Sequence, residues 1–475
     1  MGERATGRRE RRRAFLLGAG ALAFPLLMPR AVGGAAKAAL DVRRHGARGD
    51  GRAKDTRAIQ SAIDAAARTG GTVYFPPGAY VSGTLRLRSR ITLRLDAGAT
   101  LIASRDGGDF DPPEEPGYDT FADTETRDFS FALLQGRGLR QIAIVGPGRI
   151  DGARSSREGP KPIALRECRD VRIHGVSIAN AGNYTVSLLG CDDVDIANVT
   201  IENGYADGIT ADCCRNVRIT GCRVEARDDA IVLKASLALG RRRPTENVRV
   251  SGCHLVTLHN GLKLGTESSG DFRRITFRDC SIVGRRHAWK GELTGGVALT
   301  SVDGGILEDV IVSGIRMTDV GTPLFVRLGR RGRGQTVRAA GAVRNVAISD
   351  VVAAGSSGTS SIMGVREEPV MRIALQRIRV VARGGRPLEL VSGEVPEADW
   401  MYPDAGLVGE LPAYGLYCRH VVRLTLDDLD LSVARPDPRP AVLLDTVRDV
   451  TVRGLRATPP ADGGTALVTL RASGE

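Results

Sequence analysis

Residues Tyr205–Lys234 read YADGITADCCRNVRITGCRVEARDDAIVLK. From Asn216 to Val224, NVRITGCRV alternates apolar and polar residues, breaks at Thr220-Gly221 and resumes the alternation. Alternation of period two is the signature of a strand with one buried face, and the break is a corner. The same unit recurs upstream as QIAIVGPGRI, DVRIHGVSI and DVDIANVTI. Downstream it returns as NVRVSGCHL, RITFRDCSI, DVIVSGIRM, NVAISDVVA, RIALQRIRV, RLTLDDLDL and DVTVRGLRA, giving eleven copies between Gln141 and Ala457. One such unit cannot bury its apolar face alone, whereas a stack of them forms a continuous core. The pattern predicts an all-β parallel β-helix, each coil rising about 4.8 Å, the spacing of hydrogen-bonded strands. A propeller or a leucine-rich horseshoe demands other repeat lengths and signatures, which do not occur here.

The same stretch carries three acids. Asp207 is followed 21 and 22 residues later by Asp228 and Asp229, so one coil of winding brings them together. Aligning the third strand of each repeat puts DGIT, DAIV, NGLK, GGVA and TPLF in register, with Ile209, Ile231, Leu262, Val297 and Leu324 pointing inward. The acids then stand at the start of their strands, where a side chain is expected to face solvent. Like charges that close repel, and one pKa should rise. A purely structural Asp ladder, binding water, backbone amides or Ca²⁺ and turning corners through Asx turns, is the competing reading. Thr210, Val232, Lys263, Ala298 and Phe325 form one outward column, and Asp212, Lys234, Gly265, Thr300 and Arg327 the next. Lys234, Lys263 and Arg327 would line a groove suited to an anionic substrate, with Asn260 in the column of the acids. The excursion GRRHAWKGELTG raises Trp289 beside the groove, where it would stack on a sugar ring or cover apolar strand. It and the insertion SGEVPEADWMYPDAGLVGELPAYG are candidates to close one end of the groove.

Hydrophobic residues make up 42% of the chain and aromatics only 4%, so the core is expected to be Val, Ile, Leu and Ala. Part of the net charge of +12 sits in residues 1–40, which hold eight Lys/Arg and two Asp/Glu. There an Arg-rich start precedes a short apolar run, Phe15 to Met28. That layout predicts an export signal of twin-arginine type, and hence a secreted or periplasmic protein without a stable membrane anchor. Residues 41–475 are expected to form one β-helix domain. DTRAIQSAIDAAARTGG places Ile59, Ala62, Ile63 and Ala66 on one helical face, with Asp55 as N-cap and Gly70 and Gly71 as the stop. This helix would cover the open end of the solenoid, whose strand edges need protection. Asp106–Arg127 reads as a long polar loop. Cys168, Cys191 and Cys214 recur every 23 residues, and Cys222, Cys253 and Cys280 hold another equivalent place. Such regularity predicts stacked small core side chains rather than disulfides. No Cys or His pair has ligand spacing, so neither metal nor cofactor is expected.

With these motifs in place, the chain resembles glycoside hydrolase family 28, the polygalacturonase and rhamnogalacturonase family of the pectin-lyase-like right-handed β-helix superfamily. DVRRHGARGDGRAKDTRAIQSAIDAA with GGTVYFPPGAY resembles the family's start, as does GPGRIDG from Gly146. YADGI and DDAIVLK stand where the family has Asn-Thr-Asp-Gly-Ile and, one coil later, Asp-Asp. The resemblance implies Asp228 as general acid and Asp207 and Asp229 as the groups that position and deprotonate water, with inversion at the anomeric carbon. An inverting pair ordinarily leaves about 6.5–9.5 Å for that water. The family's Gly-His-Gly falls on LHNGLKLGTES, with His259 shifted by one residue. Its Arg-Ile-Lys, which grips the substrate carboxylate, falls on Ala298, Leu299 and Thr300, so the usual uronate clamp is missing. Lys263 and Arg327 are its candidate replacements.

Three functions are compatible with these features. The first is an exported inverting hydrolase of a pectin-like or other acidic polysaccharide. The second is a polysaccharide lyase using Lys234 or Lys263 as base, and the third a non-catalytic glycan-binding β-helix. In each the partner is a polysaccharide or oligosaccharide; no nucleic acid is expected, and a monomer is.

Overall fold

The computed structural model describes residues 39–127, 129–285, 295–461 and 467–471. Nearly all of the expected export signal, together with Trp289, lies outside these residues. The repeats wind as the alternation dictates. Every strand pairs in parallel with its equivalent one coil away, and all belong to one sheet. One inward column runs Val171, Val194, Val217, Val248, Ile275 and Val310, each residue opposite the next. The chain is a parallel β-helix filled with Val, Ile and Leu.

The corners explain why the repeat has its length. The first residue of all eleven copies, from Gln141 and Asp170 through Asn216, Asn247 and Arg274 to Asp449, is left-handed, with φ between 54° and 64°. Five residues later comes a second left-handed residue, from Gly146 through Gly221 and Asp279 to Gly454. Single left-handed residues turn the chain sharply, and Gly, Asn and Asp tolerate them best. Side chains of the first column are laddered. Asn216 Nδ2 donates to Asp193 Oδ1 at 2.9 Å, Asn247 Nδ2 to Asn216 Oδ1 at 3.0 Å, and Arg274 Nε to Asn247 Oδ1.

The N-terminal helix spans Thr56–Thr69 and buries Ile59, Ala62, Ile63 and Ala66. Asp55 precedes it, but its carboxyl does not cap it. Instead it accepts the backbone N–H groups of Arg48 at 2.7 Å and Gly49 at 3.0 Å, tying the preceding turn to the helix. All eight cysteines are free and buried. Residues 106–127 are irregular apart from a 3-10 turn at Gly107–Asp109 and a helical turn at Thr124–Arg127.

Candidate active site

The third-strand register is the expected one: Ile209, Ile231, Leu262, Val297 and Leu324 lie in a row. One outward column also holds, as Thr210, Val232, Lys263, Ala298 and Phe325. The other does not. Between Leu233 and Ala235 the pairing slips so that Ala235 faces Ser268, and Gly265 leaves the column that the even spacing gave it.

At the start of these strands the backbone passes close to the next coil. A Cβ on Gly208 would lie 2.4 Å from Val224 Cγ1 and 2.5 Å from the Ala230 carbonyl oxygen, so only glycine fits after Asp207. This tight passage brings Asp207, Asp228 and Asp229 together, one oxygen of each within 4.8 Å of the others. They are closer than the separation expected of an isolated inverting pair. The expectation of solvent-facing acids is corrected. Asp207 and Asp229 are only 2% and 3% exposed. Asp228 alone remains accessible, with 18% of its side chain exposed.

What buries the acids is polar. Asp229 accepts from Lys263 Nζ at 2.8 Å, from Asn260 Nδ2 at 2.7 Å and from the Asn260 N–H at 3.2 Å. Asp207 accepts from Thr210 Oγ1 at 3.2 Å and has Lys234 Nζ 3.8 Å away. Burial and then the charge of Asp228 push the Asp207 carboxyl well above the usual range. Asp228 behaves oppositely. Burial opposes its ionisation, yet the Arg157 guanidinium, with His259 and Lys263 behind it, draws its pKa down to about 2. Arg157 Nη1 donates to Asp228 Oδ2, and His259 Nδ1 stands 3.9 Å from the other oxygen.

Of the other residues singled out in the sequence, Lys234 is buried and donates to Tyr184 Oη at 2.8 Å, with Glu267 at 3.3 Å and Asp123 at 3.7 Å. Burial lowers its pKa, but these partners raise it further, so the ammonium is retained; the same holds for Lys263 beside Asp229. Neither lysine offers the neutral amine that a lyase base requires. Arg327 is not brought to the acids. It is buried under the segment after Gly385, donating to the Glu397 carbonyl at 2.5 Å, and burial lowers its pKa to about 10.

Several residues at the site carry no local sequence signal. Arg157 follows the GPGRIDG motif in an irregular segment, and Glu125 comes from the loop before it; Arg157 Nε and Nη2 both donate to Glu125 Oε1, at 3.1 and 2.9 Å. Tyr402 arrives from the late insertion. Thr266 Oγ1 donates to its hydroxyl at 3.0 Å, and its ring centre lies 5.8 Å from Lys263 Nζ. With 49% of its surface exposed, the ring lies next to Lys263, which in turn binds Asp229. The insertion could have been suspected from its length, but Arg157 and Glu125 only from the folded chain.

Two family profiles match the sequence: rhamnogalacturonase A/epimerase, pectate lyase-like, over residues 39–105, and glycosyl hydrolases family 28 over residues 117–369. The second spans more than half of the 475 residues. The chain belongs to glycosyl hydrolase family 28. It is a glycoside hydrolase by that membership. Among relatives of this family 28 protein, a probable polygalacturonase of Vitis vinifera is 22% identical over 70% of this chain and 72% of its own length. An exo-poly-alpha-D-galacturonosidase of Dickeya chrysanthemi is 35% identical, over 24% of this chain and 19% of its own. Among solved structures, the hyperthermoactive exopolygalacturonase of Thermotoga maritima superposes with a TM-score of 0.63 at 19% identity, covering 81% of this chain and 91% of that one. The family 28 exopolygalacturonase of Yersinia enterocolitica gives 0.56 at 17% identity, covering 91% and 78%. At these identities the structural likeness concerns the fold.

Proposed function

We propose that this family 28 hydrolase is exported and cleaves glycosidic bonds of a pectin-like or other acidic polysaccharide with inversion. The observation that carries the reading is the convergence of three carboxyls from two coils in a polar, half-closed site. In this reading Asp228, the accessible one, gives its proton to the glycosidic oxygen. Asp207 and Asp229, one coil apart, hold a water against the anomeric carbon in this reading and take its proton. The C–O bond breaks as the water oxygen bonds to carbon; Asp228 gives one proton to the leaving hydroxyl and the pair behind it receives the other. The names of the relatives support galacturonan as the first substrate to try.

The experiment is reducing-sugar release from polygalacturonate, with the first-formed anomer read by proton NMR. Inversion of an α-linkage yields the β-anomer first; the α-anomer first would sink the stereochemical assignment, and the close spacing of the acids makes that measurement worth doing. Asp228→Asn should lower kcat by about 10³-fold or more, within the range for loss of a positioned proton donor. A variant retaining the full rate would remove Asp228 from the role.

A further inference from the structure

Family membership leaves two questions open at this site. The carboxylate clamp is gone. Ala298 is buried in an apolar cluster with Phe325, Val395 and Leu411, and the Thr300 hydroxyl donates to the Leu264 carbonyl at 2.8 Å. The accessible acid, meanwhile, is tied to a cation that keeps it ionised, the wrong state for a proton donor. One residue answers both.

Among the described cations that contact the acids, Lys234 and Lys263 are buried and bound to carboxyls of the chain itself. Arg157 is different: 46% of its side chain is exposed. Its guanidinium is held along one edge, Nε and Nη2 both meeting Glu125 Oε1. The remaining nitrogen, Nη1, is on Asp228. A guanidinium whose Nε and Nη2 share one acceptor oxygen can swing as a rigid plane about that oxygen and carry Nη1 from one anion to another, and its planar fork suits a carboxylate.

We propose that Arg157 is the substrate-carboxylate reader of this enzyme: on binding, Nη1 passes from Asp228 to the uronate of the sugar, while Glu125 keeps the other edge. This rests on the hydrolase reading above and supplies what the lost clamp supplied. It also prepares the acid. With Arg157 turned away, Asp228 faces the buried Asp207 and Asp229, with His259 and Lys263 behind it. Asp228 thereby loses the strongest of the contacts that keep it ionised, and burial then favours its protonated form against the weaker pull of His259 and Lys263. Once Asp228 is neutral, one of the causes that keeps the proton on Asp207 disappears. The proton of the cluster thereby moves from Asp207 to Asp228, leaving Asp207 free to accept one from water. A neutral sugar would fill the site without drawing Arg157 off, so the same contact makes charge a condition of turnover.

The test compares oligogalacturonate with its methyl ester, substrates that differ in the carboxylate. The parent should prefer the free acid. Arg157→Gln should reduce that preference by about 10–100-fold in kcat/KM, the worth of a charge-assisted hydrogen bond. In the variant the alkaline limb of kcat/KM on the ester should move to higher pH, because Asp228 holds its proton longer; a merely structural role would not move it. Arg157→Lys, which keeps the charge but not the fork, should fall between. A preference unchanged in Arg157→Gln would overturn the proposal and leave the hydrolase reading standing. A parent that cleaves neither form would sink the reading itself and the proposal with it. Circular dichroism of the variants excludes misfolding as the cause.

Discussion

Under the proposed mechanism, the Asp207 carboxyl has opposite effects on stability and on chemistry. Its pKa is raised in the folded protein, so the folded state gains from its proton. That gain is present below the ordinary carboxylate value and is lost as pH rises through the raised one. Asp207→Asn should therefore abolish turnover yet raise the melting temperature by about 1–3 °C at pH 7.5. The difference should shrink at pH 4.5, as scanning calorimetry at the two pH values would show. An equal gain at both would mean that proton uptake is not its origin. For Asp228 the sign reverses: its pKa of about 2 makes its ion pair a stabilising contact above the ordinary value, lost as pH falls towards 2. Arg157→Gln should accordingly melt below the parent at pH 6 and approach it at pH 2.5.

The corner residues hold the coils in step. Asn247 combines a φ of 54° with two ladder hydrogen bonds, one given and one received. Asn247→Ala should cost about 1–2 kcal/mol from the left-handed backbone alone, with the ladder in addition. Asn247→Gly should cost less, since glycine keeps the turn and loses the ladder. Denaturant midpoints of the pair separate the two causes, and equal losses would contradict the backbone argument. This is also where the chain was most legible. The copies recognised by alternation each begin on the left-handed residue, because a period-two pattern can restart only where the backbone turns. The meeting of the three acids followed from that winding. Their burial did not, because the groups that enclose them come from elsewhere: Tyr184 lies 50 residues before Lys234, Arg157 71 before Asp228, and Tyr402 136 after Thr266. Irregular segments have no period to align, so neither the Arg157 contact nor the burial of Arg327 could be read in advance. The slip at Ala235–Ser268 was invisible for a related reason: an even repeat conceals a bulge.

Across the whole molecule, apolar clusters stand over the outward third-strand columns on both sides of the acids. Towards the C-terminus, Val395, Val408 and Leu411 cover the outward faces of Ala298, Phe325 and Tyr417. Towards the N-terminus, Phe129, Ala238 and Leu239 cover Ala132, Ala164 and Leu189. A polymer threaded through would have to displace one of these apolar layers. If polygalacturonate is the substrate, as proposed, its cleavage should therefore release short products from chain ends, reducing sugar rising while viscosity stays high. Replacing residues 394–410 by a Gly-Ser link should increase the viscosity lost per bond cut; no increase would exclude that layer as the barrier. The stacked thiols inside the solenoid carry a different consequence. With all eight cysteines unbridged and sealed from solvent, the fold owes nothing to an oxidant. Dithiothreitol should leave both refolding yield and heat resistance untouched, and the chain can mature where glutathione is abundant as readily as where it is scarce.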